Sequence, residues 1–304
     1  MTQVRSSVGI TKEFPVKVGL HQGSALSPYL FDLIMDVLVK DVKKEAPWNM
    51  MFADDVVRCE QSIDRLEEKL EDWRKALEER GMKIRRTKSE YLALKDVQMR
   101  SCKIQDDELK SVCKFKYLRS YIQRDGGLES EIQHQINCGW NNWRKTSGVL
   151  CDKKVNTGLK GKVYESVVRP AMIYGAETWP ITVAQERKMD VAEMRMLRWM
   201  CGVTRKDRTR NEFVRGAVKV GPMGKKILES RLRWYGHLQR KGEEYIGNRV
   251  EDIKAEGVRR RGRLKMRWKD KISRDLREKG WEKEEAMDRI LWRRTIQKSN
   301  ANPT

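Results

Sequence analysis

Two adjacent carboxylates are the part of the sequence best suited to chemistry. Asp54 and Asp55 interrupt the apolar run Met-Phe-Ala-Asp-Asp-Val-Val, residues 51–57. Such a run is typical of two short strands joined by a tight turn, which places both carboxylates at a hairpin tip. Carboxylate oxygens are ligands that Mg²⁺ prefers, and paired acids of this kind serve in phosphoryl transfer. The pattern predicts a divalent-cation site at Asp54 and Asp55; an ordinary exposed turn is the alternative.

The acidic pair lacks an obvious third ligand. Two-metal phosphoryl transfer uses a carboxylate that bridges ions roughly 3.5 to 4 Å apart. Asp32 and Asp36 do not qualify, since both fall on a predicted helix. Removing one member of a catalytic set that acts as a unit costs several powers of ten in rate. We therefore expect negligible nucleotidyl transfer from this chain alone.

A glycine-containing loop precedes the acidic pair by about thirty residues. Its sequence, Gln22-Gly23-Ser24-Ala25-Leu26-Ser27-Pro28, combines a glycine that permits close backbone approach with a serine that can cap a helix before proline. The apolar spacing that follows predicts a helix to about Val42. The loop is therefore expected to present backbone to a ligand at the start of that helix.

The remaining periodicity predicts mixed secondary structure, with strands and two helices first and helices only afterwards. The predicted elements are a strand pair within 8–20, a helix over 62–80 stopped by Gly81, a strand at 91–94, a hairpin over 115–122, and helices near 129–149, 159–173, 185–200, 224–240 and 264–294. This order predicts an α+β chain.

Charge is distributed unevenly along the 304 residues. The net charge is +21, of which residues 1–122 contribute +3 and residues 123–304 contribute +18. A basic field of this size attracts polyanions and makes their affinity depend on salt. Nucleic acid is therefore the leading partner class, ahead of a membrane surface, because no apolar run approaches the ~20 residues of a spanning helix.

The densest positive charge lies between Arg259 and Arg277, where ten Lys or Arg accompany two Asp. Phosphate contact is the favoured explanation, with base stacking on Trp268 as a lesser possibility. A solvated helix face and a nuclear localisation signal are the alternatives. The candidate contact residues are Arg259, Arg260, Arg261, Arg263, Lys265 and Arg267.

The six cysteines show neither a Cys-x-x-Cys pair nor zinc-finger spacing with the three histidines. With no secretory signal at the N-terminus, they are expected to be reduced thiols of an intracellular protein, in the nucleus or the cytoplasm.

The order Gln-Gly-Ser-Ala-Leu-Ser-Pro followed by Phe-Ala-Asp-Asp resembles the palm of reverse transcriptases of non-LTR (LINE-type) retrotransposons, most closely the RTE-like group. The resemblance implies Mg²⁺-dependent addition of deoxynucleotides to a primer on an RNA template. It assigns nucleotide and template contact to Gln22, Gly23, Ser24 and Pro28, and metal binding to the acidic pair.

Later segments extend the resemblance. Thr87-Lys88-Ser89-Glu90 is similar to the motif whose lysine lies near the nucleotide phosphates, which would make Lys88 a third catalytic residue. The segment containing Phe115, Tyr117 and Leu118 resembles the primer-grip hairpin. Arg119 replaces the usual glycine there, so we expect a reshaped hairpin, because a residue with a Cβ resists positive φ.

The resemblance also implies a truncation. In the family, the fingers and the strand that carries the first catalytic aspartate precede the glycine loop by many tens of residues, whereas 21 residues precede Gln22 here. The expected organisation is a partial palm with the grip-like hairpin over 1–122, a thumb-like helical region over 123–205 and a basic helical region over 206–304.

The expected function follows from this organisation. The chain should bind RNA and DNA as template–primer hybrid or duplex, without a membrane and without any cofactor beyond nucleotide and Mg²⁺. Three alternatives stay open: an active RNA-directed DNA polymerase if another chain supplies the missing palm, a non-catalytic nucleic-acid-binding protein, and a mobile-element remnant without function.

Overall fold

The protein is described by a computed structural model over residues 2–15, 19, 23–94, 100–252 and 266–298. Two compact units are present. One comprises residues 1–93 and 97–112, and the other comprises residues 94–96 and 113–304. The three-part division proposed from the sequence stays a prediction.

Short strands and two helices make up the described part of the first unit. Its elements are β1 (Arg5–Ser6), β2 (Gly9–Ile10), α1 (Ser27–Leu38), β3 (Asn49–Phe52), β4 (Asp55–Arg58), α2 (Ile63–Glu78), β5 (Glu90–Tyr91), β6 (Lys103–Ile104), β7 (Asp107–Glu108) and β8 (Lys110–Ser111). The pairs β1–β2, β3–β4 and β6–β7 are antiparallel, whereas β5 and β8 are parallel. The mixture agrees with the predicted α+β class, although a parallel pair was not expected.

One apolar cluster organises this unit. It contains Met35 and Val39 from the first helix and its end, and Trp73 and Leu77 from the second helix. The spacing of these residues by four places each pair on one helix face. The helix predicted over 62–80 is confirmed as α2, and the Ser62 side chain caps it by accepting a hydrogen bond from the N–H of Arg65 at 3.4 Å.

The N-terminal segments differ from the prediction. Residues 16–18 and 20 of the strand pair expected within 8–20 lie outside the described residues. In the described part, β2 pairs with the earlier strand β1, and Phe14 forms a bridge with Thr2. Ser27 is the first residue of α1 rather than its cap, which is Leu26. Ser24 instead accepts a hydrogen bond from the Leu26 N–H at 3.3 Å, because its hydroxyl is two residues away in a tight turn.

The second unit begins with a hairpin and continues in helices. Its elements are β9 (Lys114–Tyr117), β10 (Ser120–Gln123), α3 (Glu129–Leu150), α4 (Thr157–Val163), α5 (Arg169–Met172), α6 (Val183–Met200), α7 (Asn211–Val218), α8 (Met223–Gln239), α9 (Ile246–Asp252), α10 (Trp268–Lys279) and α11 (Arg289–Lys298). None of the helices in the described ranges has the length and apolar character that a bilayer crossing requires.

A buried carboxylate joins several of these helices. Glu193 of α6 is fully buried and accepts hydrogen bonds from Tyr164 Oη at 2.9 Å, Arg169 Nη2 at 2.8 Å and Arg215 Nη1 at 2.7 Å. Burial, followed by the Glu193 charge, raises the pKa of Tyr164 well above its usual value. Burial alone would lower the pKa of Arg169, but the Glu193 charge raises it. Tyr164 therefore keeps the proton that it donates to Glu193, and Arg169 keeps its charge.

A second apolar cluster holds α8, α10 and α11 together. It includes Leu232, Ile272, Leu276 and Trp292, and the indole N–H of Trp292 donates to the Leu232 carbonyl at 2.8 Å. A buried ion pair between Arg231 and Asp275, at 2.6 Å, links α8 to α10. Helix α8 is therefore bonded to α11 through Trp292 and to α10 through Arg231.

Some helices of this unit differ from those predicted from apolar spacing. The single helix predicted over 264–294 is two helices within its described part, because Gly280 ends α10 at a φ of 66°. The helix predicted over 159–173 contains a π-helical turn at Tyr164–Val168, just before Pro170, which has no N–H to donate. Helices α7 and α9 were not predicted.

Replacing Glu193 with Gln should destabilise the second unit by about 3–5 kcal/mol, because Arg169 and Arg215 would lose the buried charge they share and keep only the exposed carboxylates of Glu165 and Asp190. Chemical denaturation followed by circular dichroism measures this. Glu165→Gln is the matched control, since Glu165 contacts the same arginine at 3.1 Å but its side chain is 43% exposed. Its expected effect is about 0–1 kcal/mol. Equal effects of the two substitutions would contradict the role of the buried charge.

Candidate functional site

The acidic pair lies at the tip of the β3–β4 hairpin. Phe52 pairs with Asp55 across the two strands, so Ala53 and Asp54 form a two-residue loop. Ala53 has a φ of 50°, a conformation that is uncommon for a residue with a Cβ. Local strain of this kind persists where surrounding structure fixes the backbone, and it is frequent at functional sites.

Both carboxylates are exposed and face solvent without a partner in the described ranges. No described Lys or Arg forms an ion pair with Asp54 or Asp55. The two side chains offer hard oxygen donors of the kind that Mg²⁺ prefers. Among the described residues, however, no three His, Cys, Asp or Glu side chains are grouped as a metal site would need. The donor set for a two-metal site is incomplete in this part of the chain.

A second Asp-Asp hairpin in the same unit provides an internal comparison. Ile104 pairs with Asp107, and the loop residue Gln105 has a φ of 54°, so Asp106 and Asp107 repeat the backbone arrangement of the first pair. Arg86 forms an ion pair with Asp107 and donates to the Gln105 side chain. One carboxylate of the second pair, Asp107, is thus neutralised by a neighbouring cation, whereas neither carboxylate of the first pair has an ion pair in the described residues.

The base of the β3–β4 hairpin carries polar groups that sequence reasoning missed. Asn49 is buried, and neither its amide nitrogen nor its oxygen has a hydrogen-bond partner in the described structure. Arg58 lies opposite it and binds Glu60 at 2.9 Å. Burial alone would raise the pKa of Glu60, but the hydrogen bonds from Lys44 and Arg58 lower it. In the sequence, the one indication of this buried polar group is that Asn49 begins an otherwise apolar strand.

The glycine loop is described in part. Gly23 has a φ of 93° with open space where a Cβ would be, and Ser24 is exposed beside it. Pro28 occupies the first turn of α1, as its fixed φ favours. Gln22 lies outside the described residues.

Lys88 is exposed at the end of a short 3-10 helix, Arg86–Lys88. The segment before it packs on the same apolar cluster as α1 and β3, through Met82 and Ile84 on one side and Met51 on the other. The glycine-loop helix, the acidic hairpin and the lysine segment thus share one core. This common core is how the first unit collects residues that are far apart in sequence.

The grip-like hairpin has an unusual turn. Tyr117 pairs with Ser120, and the loop residues Leu118 and Arg119 have φ values of 46° and 71°. Arg119 therefore adopts the positive φ that the sequence argument expected it to resist. Phe115 and Tyr117 are half-buried on β9, while Leu118 is exposed.

Contacts from the helices explain why this turn is tolerated. The Tyr174 hydroxyl donates to the Leu118 carbonyl at 3.2 Å, and Glu131 accepts from the Tyr121 N–H at 2.6 Å and from the Ser120 hydroxyl at 3.2 Å. These bonds hold the strands in register against the strain at Arg119.

The basic segment is mostly outside the described residues, which include neither Arg259, Arg260, Arg261 and Arg263 nor Lys265. Arg267 is exposed immediately before α10, and its N–H donates to Asp270 at 3.0 Å. The Trp268 ring packs on the second apolar cluster and its N–H donates to the Glu177 carbonyl at 2.8 Å. Trp268 therefore packs within the helical unit while staying half-buried, and base stacking on it stays a prediction.

Comparison with known proteins gives one family match and one relative. Residues 3–121 match the reverse transcriptase (RNA-dependent DNA polymerase) family. The chain is also 22% identical over 273 residues to an uncharacterised transposon-derived protein of Caenorhabditis elegans, covering 84% of this chain and 96% of that relative. No solved structure matches it. The family match spans the acidic pair and Lys88.

Arg119→Gly should stabilise the second unit by about 0.5–1 kcal/mol, because glycine removes a left-handed cost of roughly 1–2 kcal/mol and loses part of the gain to its greater chain entropy. Thermal unfolding measures the shift. Arg124→Gly is the control, since Arg124 follows the same hairpin without a positive φ. It should destabilise, and stabilisation by both substitutions would contradict the argument.

Proposed function

We propose that this chain descends from the reverse transcriptase of a non-LTR, RTE-like retrotransposon and binds nucleic acid, with negligible RNA-directed DNA polymerase activity when alone. The first unit is then a partial palm, and the helices of the second unit are thumb-like and basic. The observation that carries the proposal is the hairpin tip with Asp54 and Asp55, exposed and unneutralised beside the glycine-loop helix.

The contrast between the two Asp-Asp hairpins supports a functional reason for the first pair. Two adjacent carboxylates repel one another, and a protein can relieve that repulsion with an arginine, as Arg86 does at Asp107. At Asp54 and Asp55 the charges are left open to an external cation. A Mg²⁺ ion held there would supply charge neutralisation for phosphoryl transfer, and its binding should be weak with two protein ligands.

The low activity follows from the incomplete donor set. A two-metal reaction needs both ions fixed relative to the attacking hydroxyl and the phosphate. The described residues contribute two carboxylates at the turn, and the loss of one member of such a set typically costs several powers of ten in rate. A further chain that supplied the missing carboxylate would restore the polymerase, which is the main alternative.

The uneven distribution of positive charge favours the binding of nucleic acid, a function that needs no catalysis. The excess of +18 in residues 123–304 gives the helical unit a field that attracts phosphates at long range.

Primer extension tests the catalytic part of the proposal. The purified chain, incubated with Mg²⁺, deoxynucleotides and a DNA primer on an RNA template, should give no product above background. Asp54→Asn/Asp55→Asn is the control for contaminating polymerase. Extension by the natural chain that disappears in this double variant would establish an active polymerase and contradict the proposal.

Cation binding tests the acidic turn separately. Mn²⁺, used as a paramagnetic probe, should broaden backbone amide signals of residues 53–56 far more than those of residues 105–108, because Arg86 neutralises Asp107 of the second hairpin. Asp54→Asn/Asp55→Asn should remove the effect, while Asp106→Asn/Asp107→Asn should preserve it. Equal broadening at the two hairpins would contradict a specific cation site.

A further inference from the structure

A basic cleft lies between α8 and α11 in the second unit, and none of the candidate site residues named above lines it. We call it the α8–α11 groove. Its volume is about 860 Å³, and its walls include Trp234, His237 and Arg240 on one side and Arg289 and Arg293 on the other.

The groove has far more positive than negative charge. Five lining side chains are cationic and one, Glu177, is acidic. Arg233 is paired with Glu229, outside the groove lining. Arg289 and Arg293 have no ion pair with any residue in the described ranges, and their spacing of four places them on one face of α11. Two arginines on one wall are thus free to bind an anion.

The opposite wall holds a further constrained cation. Arg240 donates to the Ala286 carbonyl at 2.6 Å, which fixes its guanidinium without neutralising it. Burial lowers the pKa of Arg240, and the nearby charge of Arg289 lowers it further. Like charges brought together at a partly desolvated surface are costly unless an anion offsets them.

An aromatic platform borders these cations. The rings of Trp234 and His237 are stacked, with centroids 5.2 Å apart and planes 16° from parallel. The Tyr245 and His237 rings meet edge to face with centroids 5.8 Å apart, and Lys241 lies over the Tyr245 ring. Trp234 remains half-exposed, so it can stack with a planar group that enters the groove.

The walls are rigid. A Cβ added to Gly236 would lie 2.4 Å from the Trp292 ring, so the two helices approach as closely as a glycine allows. The hydrogen bond from Trp292 to Leu232 fixes the depth of α11 against α8. The helix faces that carry the cations, the Arg240 guanidinium and the stacked rings are therefore in place before any ligand binds, which reduces the entropy lost on binding.

We propose that the α8–α11 groove binds a single-stranded segment of nucleic acid, with phosphates contacted by Arg289 and Arg293 and one base stacked on Trp234. Proteins that bind single-stranded nucleic acid combine cationic side chains, which contact the phosphates, with aromatic rings on which the bases stack. The volume is within the ~300–1,000 Å³ of small-ligand sites, which suits one or two unstacked nucleotides rather than a duplex. This inference rests on the proposed nucleic-acid-binding function and locates a site for it.

The test measures binding of a fluorescent oligouridine RNA of about twelve nucleotides by anisotropy over a series of salt concentrations. Binding by the natural chain that weakens with salt is expected. An absence of such binding would contradict the proposed function itself, whatever the groove does.

Arg289→Gln/Arg293→Gln should flatten the slope of log affinity against log salt by about 1.4, because each single-strand phosphate contact contributes about 0.7. The matched control is Arg187→Gln/Arg195→Gln, which removes two exposed arginines from α6 and lowers the net charge equally. If the groove is the binding site, Arg289→Gln/Arg293→Gln should change the salt slope substantially more than the control does. Equal slopes would overturn the groove while leaving general binding intact.

Trp234→Ala should weaken binding about five-fold or more with little change in salt slope, since stacking is independent of counterion release. The control is Trp199→Ala, because Trp199 is 62% exposed outside the groove. Unchanged affinity in Trp234→Ala, or the same loss in both variants, would contradict the stacking role.

A second readout does not depend on whether these variants fold. The natural chain is photocrosslinked to the same RNA carrying 4-thiouridine, and the crosslinked peptides are mapped by mass spectrometry. Crosslinks within residues 233–241 or 289–297 would support the groove. Efficient crosslinking confined to other segments would overturn it.

Discussion

The second unit depends on one buried negative charge. Glu193 is removed from water, and Tyr164, Arg169 and Arg215 offset the cost of that burial by hydrogen bonding to it. Because these donors come from the π-helical turn, α5 and α7, the carboxylate ties α6 to three neighbours at once. Arg169 and Arg215 also reach the Gly221 carbonyl, so the chain entering α8 is fixed by the same network. The position of the groove along α8 follows from this anchoring.

Strained turns recur where tertiary contacts can enforce them. Ala53, Gln105, Leu118 and Arg119 all adopt positive φ at two-residue hairpin loops without being glycine. At the last two, bonds from Tyr174 and Glu131 supply the restraint. The strain is therefore a product of packing, and the residue types at these turns would not by themselves have selected it.

Local patterns were sufficient for much of the architecture. Apolar spacing and caps predicted α2, α3, α6 and α8 to within a few residues, and the acidic run and the Phe-Lys-Tyr segment predicted their hairpins. The same reasoning merged α10 with α11 and missed α7 and α9. Short helices offer few periodic positions, and a glycine at left-handed φ can end a helix within a continuous apolar pattern.

The sequence alone determined that Asp54 and Asp55 share a turn, that a glycine loop precedes a helix, and that positive charge is concentrated after residue 122. Tertiary structure decided which charges are available. Asp107 is neutralised by Arg86 and Glu193 by two arginines, while Asp54, Arg289 and Arg293 have no such partner in the described residues. Pairing depends on which distant segments approach within a few ångströms, and the order of residues along a chain does not encode that distance locally. For the same reason, Trp268 became a packing residue and Trp234 became part of a groove wall.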